Sequence, residues 1–233
     1  MKTALVTGGA KRIGRAISLG LASMGYDIAL HYSATDPAEI VSEIRENGVQ
    51  CEPFQCDLSS EKEVLGLMGR VKELLPGLCL LVNNASIFER STIRDTEAED
   101  FDRHLAVNFK APYFLSRDFQ RCFGKGHIIN IIDSKVIKNT SPYAAYLLSK
   151  KALKDFTFMA AKEFAPEIRV NAVAPGLILP PAGSNRDYLE KRAETIPLLK
   201  TGKPADIFNA VRFFIENDFI TGQILYIDGG ESL

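Results

Sequence analysis

Residues 3–14 read Thr3-Ala4-Leu5-Val6-Thr7-Gly8-Gly9-Ala10-Lys11-Arg12-Ile13-Gly14. An apolar run of strand type stops at a glycine pair, and a helical pattern over Arg12–Met24 begins directly after it. Glycines at such a junction permit a tight turn and close approach of backbone to a pyrophosphate. The N-terminus of the following helix then presents free N–H groups to the anion. The G-x-G-x-x-G spacing is not present. Arg12 stands where a middle glycine falls in T-G-x-x-x-G-x-G, with Gly8 and Gly14 at the outer positions. Placement between a first strand and a first helix carries more of the signal than the spelling does.

Outward from this turn, short apolar runs alternate with longer helical patterns. Strands are expected at Thr3–Thr7, Asp27–Tyr32, Val49–Gln55, Leu78–Val82, His127–Ile132, Ile168–Val173 and Gln223–Ile227. Helices are expected at Arg12–Met24, Pro37–Asn47, Glu61–Leu75, Ala98–Phe123, Pro142–Phe164 and Pro204–Glu216. Such alternation gives an α/β fold: a doubly wound, mostly parallel seven-stranded sheet of Rossmann type with helices on both faces. Parallel strands buried on both faces should be continuously apolar, as the HIINII and LLV runs are. No Gly/Ser/Pro linker divides residues 1–233, which read as one domain. Residues 176–203 are rich in proline and polar residues and fit neither pattern; in a compact α/β domain a segment of this length reads as a substrate loop.

Composition narrows the function classes. Twenty-eight basic against 29 acidic residues leave a net charge of −1, so the basic footprint of a nucleic-acid or anionic-membrane binder is missing. No apolar run approaches the roughly 18 residues of a membrane span. The first residues lack a secretory pattern, so a cytoplasmic address is expected. Cys51, Cys56, Cys79 and Cys122 form no CxxC and read as reduced, small hydrophobes. His31, His104 and His127 are never paired at ligand spacing, so no metal site is expected.

The second strand ends His31-Tyr32-Ser33. An acid there would hold the ribose hydroxyls of NAD and repel a 2′-phosphate. None is present, Asp36 lying beyond the strand, while Lys11, Arg12 and Ser33 suit a phosphate; the inference is NADP(H). Asp57 after the third strand could bond an adenine amino group, although an isolated Asp there also suits a helix cap. Tyr146 and Lys150 lie at i and i+4 on one helix face, and a nearby ammonium would lower the phenol's pKa. Such a pair is common on amphipathic helices. It gains weight from Asn83-Asn84-Ala85-Ser86 and Asp133, which end the fourth and fifth strands at the edge where α/β sheets bind ligands, and from Asn108, poorly suited to a helix interior.

TGGAKRIG, CDLS, NNAS, VNF, YxxxK, VNAVAPG and DGG occur in the order and spacing of the short-chain dehydrogenase/reductase family. The resemblance spans nearly the whole chain, and within the family the sequence is most similar to pteridine reductases, including dihydromonapterin reductases. Arg12 in the turn, His31-Tyr32, NNAS followed by Phe88, and Asp133 thirteen residues before Tyr146 carry that likeness. Ser134, next in sequence, could instead fill the family's serine position.

The resemblance implies a proton donor in Tyr146 and a pKa-lowering, ribose-holding role for Lys150. It implies that Asn108 supports a proton-relay water and that Asp133 bonds the pterin. The implied cofactor contacts are Gly8, Lys11, Arg12, Ile13, Gly14, His31, Tyr32, Ser33, Asp57, Leu58, Asn84, Ala85, Ser86, Lys150, Pro175 and Gly176. The implied substrate contacts are Phe88, stacking the pterin, with Tyr143, Ser86 and Arg12. The expected activity is NADPH-dependent hydride transfer to a dihydropterin of dihydrobiopterin, dihydromonapterin or dihydrofolate type. Reduction of a 3-oxoacyl or other carbonyl substrate is the alternative, and a non-catalytic NADP-binding sensor a third reading. The family also implies a homotetramer with the Ala98–Phe123 and Pro142–Phe164 helices at an interface.

Overall fold

The computed structural model describes residues 2–180 and 186–233. Its strands are β1 (Thr3–Val6), β2 (Asp27–Tyr32), β3 (Cys51–Gln55), β4 (Leu78–Asn83), β5 (Gly126–Ile131), β6 (Ile168–Pro175) and β7 (Ile224–Ile227). They form one sheet in the order β3-β2-β1-β4-β5-β6-β7. Every neighbouring pair is parallel, so the expected "mostly parallel" becomes wholly parallel. The chain runs outward from β1 to β3 and returns to β4 beside β1. The crevice this reversal opens at the carboxyl ends of β1 and β4 is where such sheets bind ligands.

The helices are α1 (Arg12–Ser23), α2 (Ala38–Arg45), α3 (Glu61–Leu74), α4 (Ala98–Leu105), α5 (Ala111–Phe123), α6 (Ala144–Glu163), α7 (Arg186–Ala193) and α8 (Pro204–Glu216). One sheet face is covered by α1, α2 and α8 through Ile17, Leu21, Ile40, Ile44, Val211 and Phe214. The other is covered by α3, α5 and α6 through Leu67, Val71, Leu115, Phe119, Leu153 and Phe156. Each such side chain contributes about 1.5–3 kcal/mol on leaving water, so these two layers fix the sheet. Among the described residues no helix is long and apolar enough to cross a membrane.

Three sequence expectations change. The Ala98–Phe123 region is not one helix: a π-helical turn at Ala106–Lys110 separates α4 from α5. The helix expected from Pro142 starts at Ala144, because Tyr143 lies in the left-handed region at φ 67°. The segment after β6 contains α7, which periodicity misses because five of the eight residues of RDYLEKRA are charged and the rest form no apolar stripe. Residues 181–185 of the expected substrate loop lie outside the described residues.

Candidate active site

Strand ends build the site. Gly8, Ser33, Asp57, Asn84, Asp133 and Gly176 follow β1 to β6, and all border one cavity of about 540 Å³. The glycine turn is fastened from the β4 side. The Thr7 hydroxyl accepts the Asn84 and Ala85 amides at 2.9 and 3.0 Å, and Asn84 Nδ2 donates to the Thr7 carbonyl at 2.8 Å. Gly8 is at φ +61°, a conformation that favours glycine. A Cβ on Gly14 would stand 2.1 Å from the Gly8 carbonyl, so α1 crosses the turn too closely for any other residue. Lys11 caps α1 without a side-chain hydrogen bond, and the first turn carries no acid, which leaves the leading N–H groups for an anion.

The rim after β2 is free of acid. Asp36 is committed to the Ala38 amide at 2.9 Å, the cap-like use of a carboxylate, while Ser33, Lys11 and Arg12 line the cavity. Asp57 takes the Ser59 amide at 2.9 Å and the Ser59 hydroxyl at 2.8 Å, and α3 is capped by Ser60 instead. Tyr32, Leu58, Ile13 and Pro175 also lie on the wall. These groups fit a dinucleotide: a bare helix end for a pyrophosphate, and cations with a hydroxyl for a phosphate further out.

The catalytic end lies between β5 and α6. Tyr146 donates its hydroxyl proton to Asp133 Oδ2 at 2.7 Å, and Asp133 Oδ1 accepts the Lys135 amide at 2.7 Å. Ser134 Oγ is buried with no hydrogen-bond partner among the described residues. Asp133, not Ser134, therefore faces the tyrosine. Burial first, and the Asp133 charge second, hold the Tyr146 phenol well above its ordinary pKa. This departs from the expectation that Lys150 lowers it. Lys150 is 2% exposed, and its Nζ donates to the Ile131 carbonyl at 2.9 Å. Burial brings the lysine down to about 8, with Asp133 pulling the other way.

An aromatic wall faces these groups. Phe88 stacks on Tyr143 at 4.4 Å and meets Tyr146 edge-on at 4.7 Å. It stays 40% exposed, enough to offer a planar ligand a surface. Tyr143 supports that ring from behind and is not on the cavity wall; Ser86 is, its hydroxyl bonded to Ile87. Asn108 is fully buried in the π-turn and off the wall. Its carbonyl accepts the Ile87 amide, and its Nδ2 donates to the Ile87 carbonyl and to Ser149 Oγ. The side chain thus clamps the residue before Phe88. His31 is on the wall, but both its ring nitrogens bond to backbone.

The far rim is drawn from the segment read as a substrate loop, in which sequence reading singled out Gly176 alone. Arg12 Nη2 donates to the Pro180 carbonyl at 2.8 Å, and Leu177, Ile178, Leu179 and Tyr188 complete that side. Glu231, after β7, also borders the cavity; its carboxylate lies 3.9 Å from Lys135 and 3.7 Å from Arg192. The strand-end rule that found Asp133 would have found Glu231 just past the DGG motif. Among the described residues no cluster of His, Cys, Asp or Glu is arranged to hold a metal.

Comparison with known proteins agrees with this geometry. A family model described as enoyl-(acyl carrier protein) reductase matches residues 8–232. A 3-oxoacyl-acyl-carrier-protein reductase of Staphylococcus epidermidis is 32% identical over 98% of this chain and 98% of that protein. A dihydromonapterin reductase of Citrobacter koseri is 29% identical over 98% of this chain and 96% of its own length. The structure of alternative dihydrofolate reductase 1 from Brucella suis, in complex with NADP, superposes with a TM-score of 0.94 at 37% identity, over 99% of this chain and 94% of that one. The chain belongs to the short-chain dehydrogenase/reductase family.

Proposed function

We propose that this protein is an NADPH-dependent reductase of a dihydropterin. The observation that carries the reading is the Tyr146–Asp133 hydrogen bond at 2.7 Å beneath the Phe88 ring. A carbonyl oxygen needs only neutral hydroxyl donors beside it. A pterin also presents ring N–H groups, which a carboxylate accepts and a hydroxyl matches less well. Bound NADPH supplies the hydride. Phe88 offers the flat surface that holds the bicyclic ring. Tyr146 keeps its proton at neutral pH and yields it to the ring nitrogen whose double bond is reduced, a nitrogen made strongly basic as the hydride arrives at the neighbouring carbon. Asp133 orients that hydroxyl and carries the compensating negative charge. Lys150, as an ammonium held on the Ile131 carbonyl, balances the charge of the Asp133 carboxylate. The NADP-bound Brucella suis structure and the Citrobacter koseri relative support this reading, as does the acid-free rim after β2.

Carbonyl reduction is the second reading, favoured by the likeness to the Staphylococcus epidermidis enzyme. The test is NADPH oxidation measured side by side with dihydrobiopterin, dihydromonapterin, dihydrofolate and an acetoacetyl thioester. A kcat/KM at least tenfold higher on one pterin than on the thioester is expected, and the reverse order would overturn the pterin reading. The proposed assembly is a homotetramer. Leu148, Phe158 and Met159 on α6 and Tyr113 on α5 stay solvent-exposed in the single chain and supply apolar surface for such a contact.

A further inference from the structure

His31 is the penultimate residue of β2, is 2% exposed, and sits directly behind the glycine turn. Its ring spans two strand ends. Nδ1 accepts the Gly8 N–H at 2.9 Å, and Nε2 lies 3.0 Å from the Cys56 carbonyl, at the end of β3. An amide N–H can only donate and a carbonyl can only accept. Nδ1 must therefore be bare and Nε2 must carry the proton. Of the three protonation forms of imidazole, the neutral Nε2–H tautomer alone satisfies both neighbours. The His31 carbonyl also accepts the Gly9 N–H at 2.9 Å, so both amides of the glycine pair end on this one residue. Burial brings the ring's pKa down to about 4, which keeps it neutral through the physiological range.

We infer that His31 is a positioning residue: a neutral, single-tautomer strut between Gly8 and Cys56 that sets the turn receiving the cofactor's pyrophosphate, and not a contact for the cofactor's outer phosphate. The inference rests on the reading of the cavity as a dinucleotide site. Its logic is local. Gly8, at φ +61°, is held from the β4 side by Asn84, whose Nδ2 lies 3.3 Å from the Gly8 carbonyl, and from the β2 side by His31. Removing the ring acceptor leaves a part-buried amide unpaired at the point where the turn must be held.

Two isosteric substitutions separate the strut's two ends. Asn places its side-chain oxygen near the position of Nδ1 and keeps an acceptor for Gly8. Gln places its amide near Nε2, can still reach Cys56, and abandons Gly8. For His31→Gln the Kd for NADPH, measured by fluorescence titration, should rise roughly tenfold, the range for an unpaired buried donor. The loss should appear in KM for NADPH rather than in kcat. His31→Asn should stay within about threefold of wild type. Equal Kd values for the two variants would overturn the strut. Independently of folding of either variant, long-range ¹H–¹⁵N spectra of the wild-type chain without nucleotide should show His31 with a bare Nδ1 and a protonated Nε2 from pH 6 to 8. A charged ring or the Nδ1–H tautomer would also overturn it. A wild-type chain with no affinity for NADPH would remove the dinucleotide reading, and the spectrum would still decide the tautomer.

Discussion

Replacing Asp133 by Ser isolates the group that separates pterin from carbonyl chemistry. The substitution removes the acceptor of two hydrogen bonds, from the Tyr146 hydroxyl and the Lys135 amide, both at 2.7 Å. A bond to an ionised partner contributes about 1.5–3 kcal/mol. Loss of the orienting bond to Tyr146 alone corresponds to roughly 10–150-fold in rate. Loss of positioned proton transfer costs typically 10²–10⁴-fold. The two overlap, because the same bond orients the proton donor, so turnover on a dihydropterin should fall about 10²-fold or more. The seryl hydroxyl can still face a carbonyl oxygen, so activity on a small reactive ketone should survive or improve. The Asp133 side chain also caps the 3₁₀ turn Ser134–Ile137, a position that Ser fills about as well, so stability should change little. The assay is NADPH absorbance under saturating substrate, with a melting curve and a nucleotide titration as controls. Dihydropterin turnover within threefold of wild type, together with its loss in Ser134→Ala, would refute the reasoning, since the serine hydroxyl would then be the working group.

Further outcomes follow from the same geometry. Lys150 at about 8, against 10.5 when free, releases its proton in the folded chain across a window where the unfolded chain keeps it; stability should therefore rise with pH between about 8 and 10.5. Lys150→Met should raise Tm at pH 7 and lose that advantage near pH 10, as differential scanning calorimetry can read. In the active enzyme kcat/KM should fall as pH rises through about 8, and Asp133→Asn should move that midpoint downward, because the carboxylate supports the ammonium. NADPH should bind at least tenfold tighter than NADH, about 1.4 kcal/mol, and Lys11→Ala should narrow the gap in a fluorescence titration. Leu148→Glu should reduce the mass seen by light scattering, since it sets a charge on the exposed apolar face of α6; an unchanged mass would place the contact elsewhere.

Legibility varied with how a residue acts. Strands and amphipathic helices were readable because burial imposes a period, and the site was readable because strand ends converge on one edge. Asn84 and Asp133 fall where that rule puts them, and Phe88 with Tyr146 and Lys150 of α6 borders the same cavity. What stayed hidden was pairing. No spacing says that Tyr146 bonds Asp133 while Lys150 turns to the Ile131 carbonyl, nor that Asn108 spends its amide on Ile87. The α7 helix was illegible because its mostly charged sequence carries no apolar stripe, whereas Glu231 was legible by the strand-end rule, just past the DGG motif. The apolar residues of α6 are also divided: Ala145 and Phe156 are buried in the core while Leu148 and Met159 are exposed. Sequence counts the apolar residues but does not say which side the sheet lies on.

Tyr143 sets activity against durability. Its left-handed backbone costs a non-glycine residue about 1–2 kcal/mol. The Tyr143 and Ala144 amides are nonetheless tied to the Ser91 carbonyl at 2.9 and 3.3 Å, and α6 begins there without a side-chain cap. Glycine would relieve the backbone and remove the ring that braces Phe88. A directed-evolution campaign screened only for heat resistance should drift toward Tyr143→Gly and shed turnover as it does so. One screened for turnover should keep the tyrosine and find its stabilising changes elsewhere. Which lineage retains the ring is thus a record of what was selected.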